Sequence, residues 1–139
     1  MGESNGGRQA GAPSAELCDF WRERHHGTLT TLRPNGSPHV VPVCVTVDAD
    51  LGVARVMCSR GSVKARNVLA AGEAGARVAV SQVDRRRWST LEGRAVIRAD
   101  PETIREAERR HTVRYGREPR VNPNRVVIEI AVDRRLGMR

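Results

Sequence analysis

The run from Thr28 to Val47 constrains the fold most: two stretches of alternating side chains joined by Pro34-Asn35-Gly36. Pro-Asn-Gly between alternating segments is a strong hairpin signal. The first strand is read as Thr28 to Leu32 and its partner as His39 to Val47. Along the partner, His39, Val41, Val43, Val45 and Val47 point one way, and Val40, Pro42, Cys44 and Thr46 the other. Pro42 lacks a backbone N–H. It places this strand at a sheet edge or a bulge, where an outside group can approach the main chain.

Further hairpin-type elements follow. Asp48 to Gly52 reads as a turn, Val53 to Cys58 as a third strand, Ala76 to Gln82 as a fourth and Trp88 to Ala99 as a long fifth. A last strand is predicted from Arg125 to Val132, where Val126, Ile128, Ile130 and Val132 alternate with Val127, Glu129 and Ala131. Three helices punctuate them. Ser14 is a predicted N-cap for a helix with Glu16 in its first turn and Leu17, Phe20 and Trp21 on its apolar stripe, closed by Gly27. A second helix runs from Val63 to Ala71, ending at Gly72. Asp100-Pro101-Glu102 opens the third, with Ile104, Ala107, Glu108, His111 and Tyr115 on one face and Gly116 at its end. About six antiparallel strands and three helices predict a mainly β (α+β) domain: a small antiparallel barrel with flanking helices. Residues 14–139 form that single domain. Residues 1–13 are glycine-rich and polar without apolar periodicity, and are read as a disordered tail.

Lys64 is the only lysine among 24 basic residues, and it lies in Ser59-Arg60-Gly61-Ser62-Val63-Lys64-Ala65-Arg66-Asn67, between a strand and a helix start. A compact ammonium is a point-charge partner for phosphate, and the N–H groups of a helix start favour the same guest. The alternative is a surface lysine that survived a strong arginine bias. Both readings stay open on spacing alone.

Other chemistry is absent. The chain has no Gly-x-Gly-x-x-Gly, Walker loop, Cys-x-x-Cys or His-Glu-x-x-His. His25 and His26 diverge in direction and read as solvated residues rather than metal ligands, and His111 reads as a core histidine rather than a base. No Ser-His-Asp or Cys-His constellation assembles, so no catalytic side chain and no metal is assigned. An enzyme built this way relies on a cofactor. Cys18, Cys44 and Cys58 are odd in number and lack metal spacing, which fits reduced thiols in a cytoplasmic protein. No apolar run is long enough for a membrane span or a signal peptide. The net charge of +8 asks for an anionic partner. Scattered arginines and only four aromatic residues (Phe20, Trp21, Trp88 and Tyr115) argue against nucleic acid and for a small anionic molecule.

Three segments in order resemble one family. Thr28 to Val43 is similar to the opening hairpin of the split β-barrel flavin and deazaflavin oxidoreductases, relatives of the pyridoxamine 5'-phosphate oxidases. Ser62-Val63-Lys64-Ala65-Arg66-Asn67 resembles their phosphate loop, and Leu91-Glu92-Gly93-Arg94-Ala95 their following strand. Val80 to Asp84, Arg87-Trp88 and Asn122 to Glu129 resemble the actinobacterial branch that uses coenzyme F-420, especially its biliverdin reductase group. Where many relatives carry arginine two positions before the loop lysine, this chain has Ser62.

The resemblance implies an FMN-binding split-barrel type fold and a cytoplasmic homodimer with a cofactor at each interface. The cofactor the resemblance implies is F-420, with FMN as the alternative. The ring system would rest on Pro42 and Val43, with Ser59, Ser62, Lys64 and Asn67 around the phosphate and Ser81 and Gln82 also in contact. The implied reaction is hydride transfer from reduced F-420 to a conjugated acceptor, favouring biliverdin, which becomes bilirubin. Arg86 and Arg87 would meet its propionates and Trp88 its rings. A carrier that binds deazaflavin or tetrapyrrole without turnover is the reading from a different class.

Overall fold

A computed structural model describes residues 11–139; most of the sequence-predicted tail lies outside the described residues. The elements run α1 (Ala15–Arg22), β1 (Gly27–Leu32), β2 (Pro38–Val43), β3 (Thr46–Val47), β4 (Val53–Ser59), α2 (Val63–Ala70), β5 (Ala76–Asp84), β6 (Arg87–Arg98), α3 (Pro101–Tyr115) and β7 (Arg125–Gly137).

The seven strands form one antiparallel sheet in the order β2-β1-β5-β6-β7-β4-β3. Its two end strands, β2 and β3, are separated in sequence by only Cys44 and Val45. The chain therefore leaves one end of the sheet and enters the other within two residues, which the sheet permits only by curling until its ends meet. Among the described residues no ladder joins β2 to β3, so the barrel is split at that seam.

This seam corrects the sequence reading. The single strand expected from His39 to Val47 breaks in two, giving seven strands rather than about six. Alternation holds through Val43, after which Val45 and Thr46 are both buried. Pro42 lies opposite Thr28 on the edge strand β2, where its missing donor costs no ladder bond.

The barrel interior is filled by Leu29, Val56, Val80, Leu91, Ile128 and Ile130, all essentially inaccessible. Each such side chain contributes about 1.5–3 kcal/mol of burial. Helix α1 adds Leu17, Phe20 and Trp21, and the Trp21 indole N–H donates to the buried Ser89 hydroxyl at 3.0 Å. The expected caps are present, Ser14 accepting from the Leu17 amide and Asp100 from that of Thr103, and Ser62 caps α2 by accepting from the Ala65 amide. Gly116 takes φ 75° at the end of α3. Helix α1, however, stops at Glu23; Gly27 instead begins β1.

Strand β7 outruns the expected Val132 by five residues. The register against β6 slips at Glu92/Gly93, where Glu92 pairs with Arg134 and Gly93 with Val132. Gly93 fits there because a Cβ would lie 2.1 Å from the Ala131 carbonyl oxygen.

No described helix is long and apolar enough to cross a membrane, and the three cysteines are free thiols.

Candidate functional site

A cleft of about 920 Å³ opens where β2, β4, α2 and α3 converge beside the seam. Pro42, Val43 and Cys44 supply one wall. Because β2 is the end of the sheet, its outer backbone groups face no neighbouring strand. Met57, Cys58 and Ser59, at the close of β4, supply another, and Lys64 enters from the first turn of α2.

The α2 turn is built for an anion. Ser62 donates its hydroxyl proton to the Ser59 carbonyl at 2.8 Å and accepts from the Ala65 amide at 3.3 Å, which fixes the loop onto the end of β4. No acid occupies the first turn of α2, so its dipole and the Lys64 ammonium act together. Asn122 donates to the Ser59 hydroxyl at 2.9 Å and the Arg60 amide to the Asn124 carbonyl at 2.9 Å, tying the loop before β7 to the same corner.

The 117–125 segment gives the lining Arg117, Arg120 and Arg125 against one acid, Glu118. Arg125 is committed to Glu108 at 2.7 Å. Burial, then Arg125 and Arg117, pull the His111 pKa down, so its imidazole is neutral at neutral pH. Burial raises the Cys44 and Cys58 thiols, which stay protonated and are poor nucleophiles. A cleft of this size, with an open strand edge and a cationic corner, accommodates a flat ring bearing an anionic tail. The residues present thus fit a phosphate-bearing flavin or deazaflavin.

The structure brings Pro42, Val43, Ser59 and Lys64 together in this cleft, with Ser62 bracing the turn that holds the last two. It does not bring the remaining sequence-predicted residues to the lining. Asn67 is buried and donates its amide to Thr31 Oγ1 at 2.9 Å. Ser81 shares a 2.8 Å hydrogen bond with Thr90. Gln82 is buried, donates to the Phe20 carbonyl at 2.8 Å and accepts from Arg114 at 2.9 Å.

The expected three-arginine loop is a two-residue hairpin tip, with Arg85 at φ 60°. Arg87 already belongs to β6. Its guanidinium donates to both Glu23 oxygens at 3.0 and 2.9 Å and to Asp84, and lies over the Phe20 ring at 4.7 Å. Trp88 is 43% exposed rather than core, and stands cross-strand from the exposed Val83.

Sequence reasoning missed much of the cleft. His111 and Tyr115 were read as an apolar helix face, yet both line it. His26 is an exposed lining residue, whereas His25 is half-buried and pairs with Glu23 at 2.9 Å. Arg114 gave no signal at all: it is buried at 7% exposure, and its acceptors are two backbone carbonyls and an amide oxygen.

A curled antiparallel sheet with its ends apposed but unpaired, and a cationic cleft at the seam, define a split-barrel protein of the flavin-binding kind. The family profile described as pyridoxamine 5'-phosphate oxidase matches residues 14–138, and the chain belongs to that family. It is 49% identical over 124 residues to an F-420H(2)-dependent biliverdin reductase of Mycobacterium tuberculosis, covering 89% of this chain and 87% of that protein. Among solved structures, a conserved hypothetical protein of Mycobacterium tuberculosis superposes with a TM-score of 0.72 at 25% identity, covering 92% of this chain and 86% of that one. A structure titled F-420 reductase superposes with a TM-score of 0.66 at 25% identity, covering 84% and 93%.

Proposed function

We propose that this chain is an oxidoreductase that takes a hydride from reduced coenzyme F-420 and passes it to a conjugated acceptor, with biliverdin, reduced to bilirubin, the favoured one. The observation that carries the reading is the joint surface of one cleft: an open strand edge at Pro42–Cys44 and a cationic helix start at Lys64. The relative at 49% identity bears the name of the same cofactor and acceptor.

When bound, the reduced deazaflavin would supply the hydride, and a proton taken up from solvent would complete the two-electron reduction of the acceptor; no side chain is assigned a catalytic role. This chain's residues position and neutralise. Lys64 acts as a point charge on the phosphate, with the Ser59 hydroxyl beside it, while Ser62 shapes the turn in place of an additional cation. Pro42 and Val43, on the strand edge, would support the ring of the bound cofactor. Asn67, Ser81 and Gln82 serve from behind the wall, through their contacts with Thr31, Thr90 and Arg114.

The working unit is a cytoplasmic homodimer. Arg86 and Trp88 lie off the cleft of their own chain, so they reach an acceptor only when a second subunit brings its cleft to the hairpin tip. In that arrangement Arg86 meets a propionate and Trp88 a pyrrole ring; Arg87 holds the strand in place. The same cleft suits FMN, the alternative cofactor.

The test is an assay of purified protein with reduced F-420 against biliverdin, quinones and nitroaromatics, beside an FMN titration. Biliverdin should be reduced fastest. Turnover with FMN alone would move the assignment to the flavin branch, and tight F-420 binding without turnover would make the chain a carrier.

A further inference from the structure

Val45 belongs to neither β2 nor β3, yet both of its backbone groups are held, and the holders are side chains from the last turn of α3. The Val45 N–H donates to the Tyr115 hydroxyl at 3.0 Å, and its carbonyl accepts from Arg114 Nη1 at 2.6 Å. The Tyr115 hydroxyl has one proton, and the His25 carbonyl at 2.9 Å lies nearer than that of Val45 at 3.2 Å. The guanidinium then reaches across the fold. Its Nε and Nη2 donate to the Glu23 carbonyl at 2.9 and 2.7 Å, and Nη2 also donates to Gln82 on β5 at 2.9 Å.

One side chain thus joins the seam, the α1–β1 link and the central sheet. A planar fork spans these acceptors; a lysine would reach one at a time. The cleft wall, Pro42 to Cys44, immediately precedes the clamped residue.

We propose that Arg114 and Tyr115 are positioning residues for the cofactor-facing wall, setting where the strand edge stands relative to Lys64; this rests on the deazaflavin reading of the cleft. Neither reacts. Their effect falls on the reaction geometry, because displacing a reacting centre by 1 Å costs about a hundredfold in rate. The phosphate corner is built separately, from Ser62 and Asn122, so it should keep its grip when the wall shifts.

Tyr115→Phe tests this with the ring retained, since Arg114→Met leaves so many carbonyls unpartnered that it risks unfolding. In the cofactor-free protein, exchange of the Val45 amide should accelerate at least about tenfold while the Leu29 and Ile128 amides stay unchanged. In single turnover with biliverdin, oxidation of bound reduced F-420 should slow about tenfold, with its Kd altered less than about threefold. Unchanged Val45 exchange overturns the proposal. So does faster exchange with an unchanged single-turnover rate, which would make the latch structural only. Wild-type protein that never oxidises reduced F-420 sinks the functional reading and this inference with it; an active wild type with an indifferent variant sinks the inference alone.

Discussion

Lys64 was legible because it is chemically alone in the chain, and the structure places it at the cleft's cationic corner. Lys64→Ala should remove a charge-assisted contact of about 1.5–3 kcal/mol, weakening F-420 binding roughly 10- to 150-fold while leaving the melting temperature unchanged. Equal affinities by titration would refute the phosphate assignment. Arg87 was legible as a cation but not as a partner, because Glu23 lies 64 residues away at the end of a helix. That pair carries a pH signature. The Arg87 hydrogen bond, then that of His25, lowers the Glu23 pKa from 4.5 to about 2. A depressed carboxylate stabilises the fold above its unfolded pKa, and this contribution fades as pH falls from about 4.5 toward 2. The effect is modest, since Glu23 is 42% exposed and solvent screens the pair. Glu106, held at about 2 by Arg109 and then Arg110, adds a similar acid limb. Urea midpoints of Arg87→Gln should therefore lose part of the wild-type decline across that window, and superimposable profiles would show that the pair contributes nothing.

At the level of elements, helix starts were readable because capping is local. Ser14 and the Asp100-Pro101 pair each bond within three residues, so the segment itself reveals them. The break between β2 and β3 was not readable. Alternation runs unbroken through Val47 in the sequence, and the groups that interrupt it, Arg114 and Tyr115, lie 69 and 70 residues beyond Val45. The same distance effect hid the cleft face of α3 and the extension of β7, whose Asp133-Arg134-Arg135 looks like a solvated end until Arg77 pairs with Asp133. Gly93 was visible only as part of a family-like strand; its physical reason is the register shift opposite Ala131. Gly93→Ala should therefore destabilise by about 1–3 kcal/mol or more, because the blocking atom is backbone and cannot swing aside. A denaturation midpoint equal to wild type would mean that β6 and β7 separate there at little cost.

For the whole molecule, the sheet that closes on itself at an unpaired seam leaves a cleft beside a free strand edge, lined by Lys64, Arg117, Arg120 and Arg125 against Glu118. Light scattering at micromolar concentration should report about twice the 15.3 kDa chain mass, and a monomer under those conditions would rule out a site shared between subunits. The account stands or falls on direct hydride delivery. Reduced F-420 carrying deuterium in place of both C5 hydrogens, mixed anaerobically with the protein and biliverdin, should give bilirubin bearing one deuterium at the central methine-bridge carbon. Bilirubin without the label, or no bilirubin while the labelled cofactor stays reduced, would contradict it.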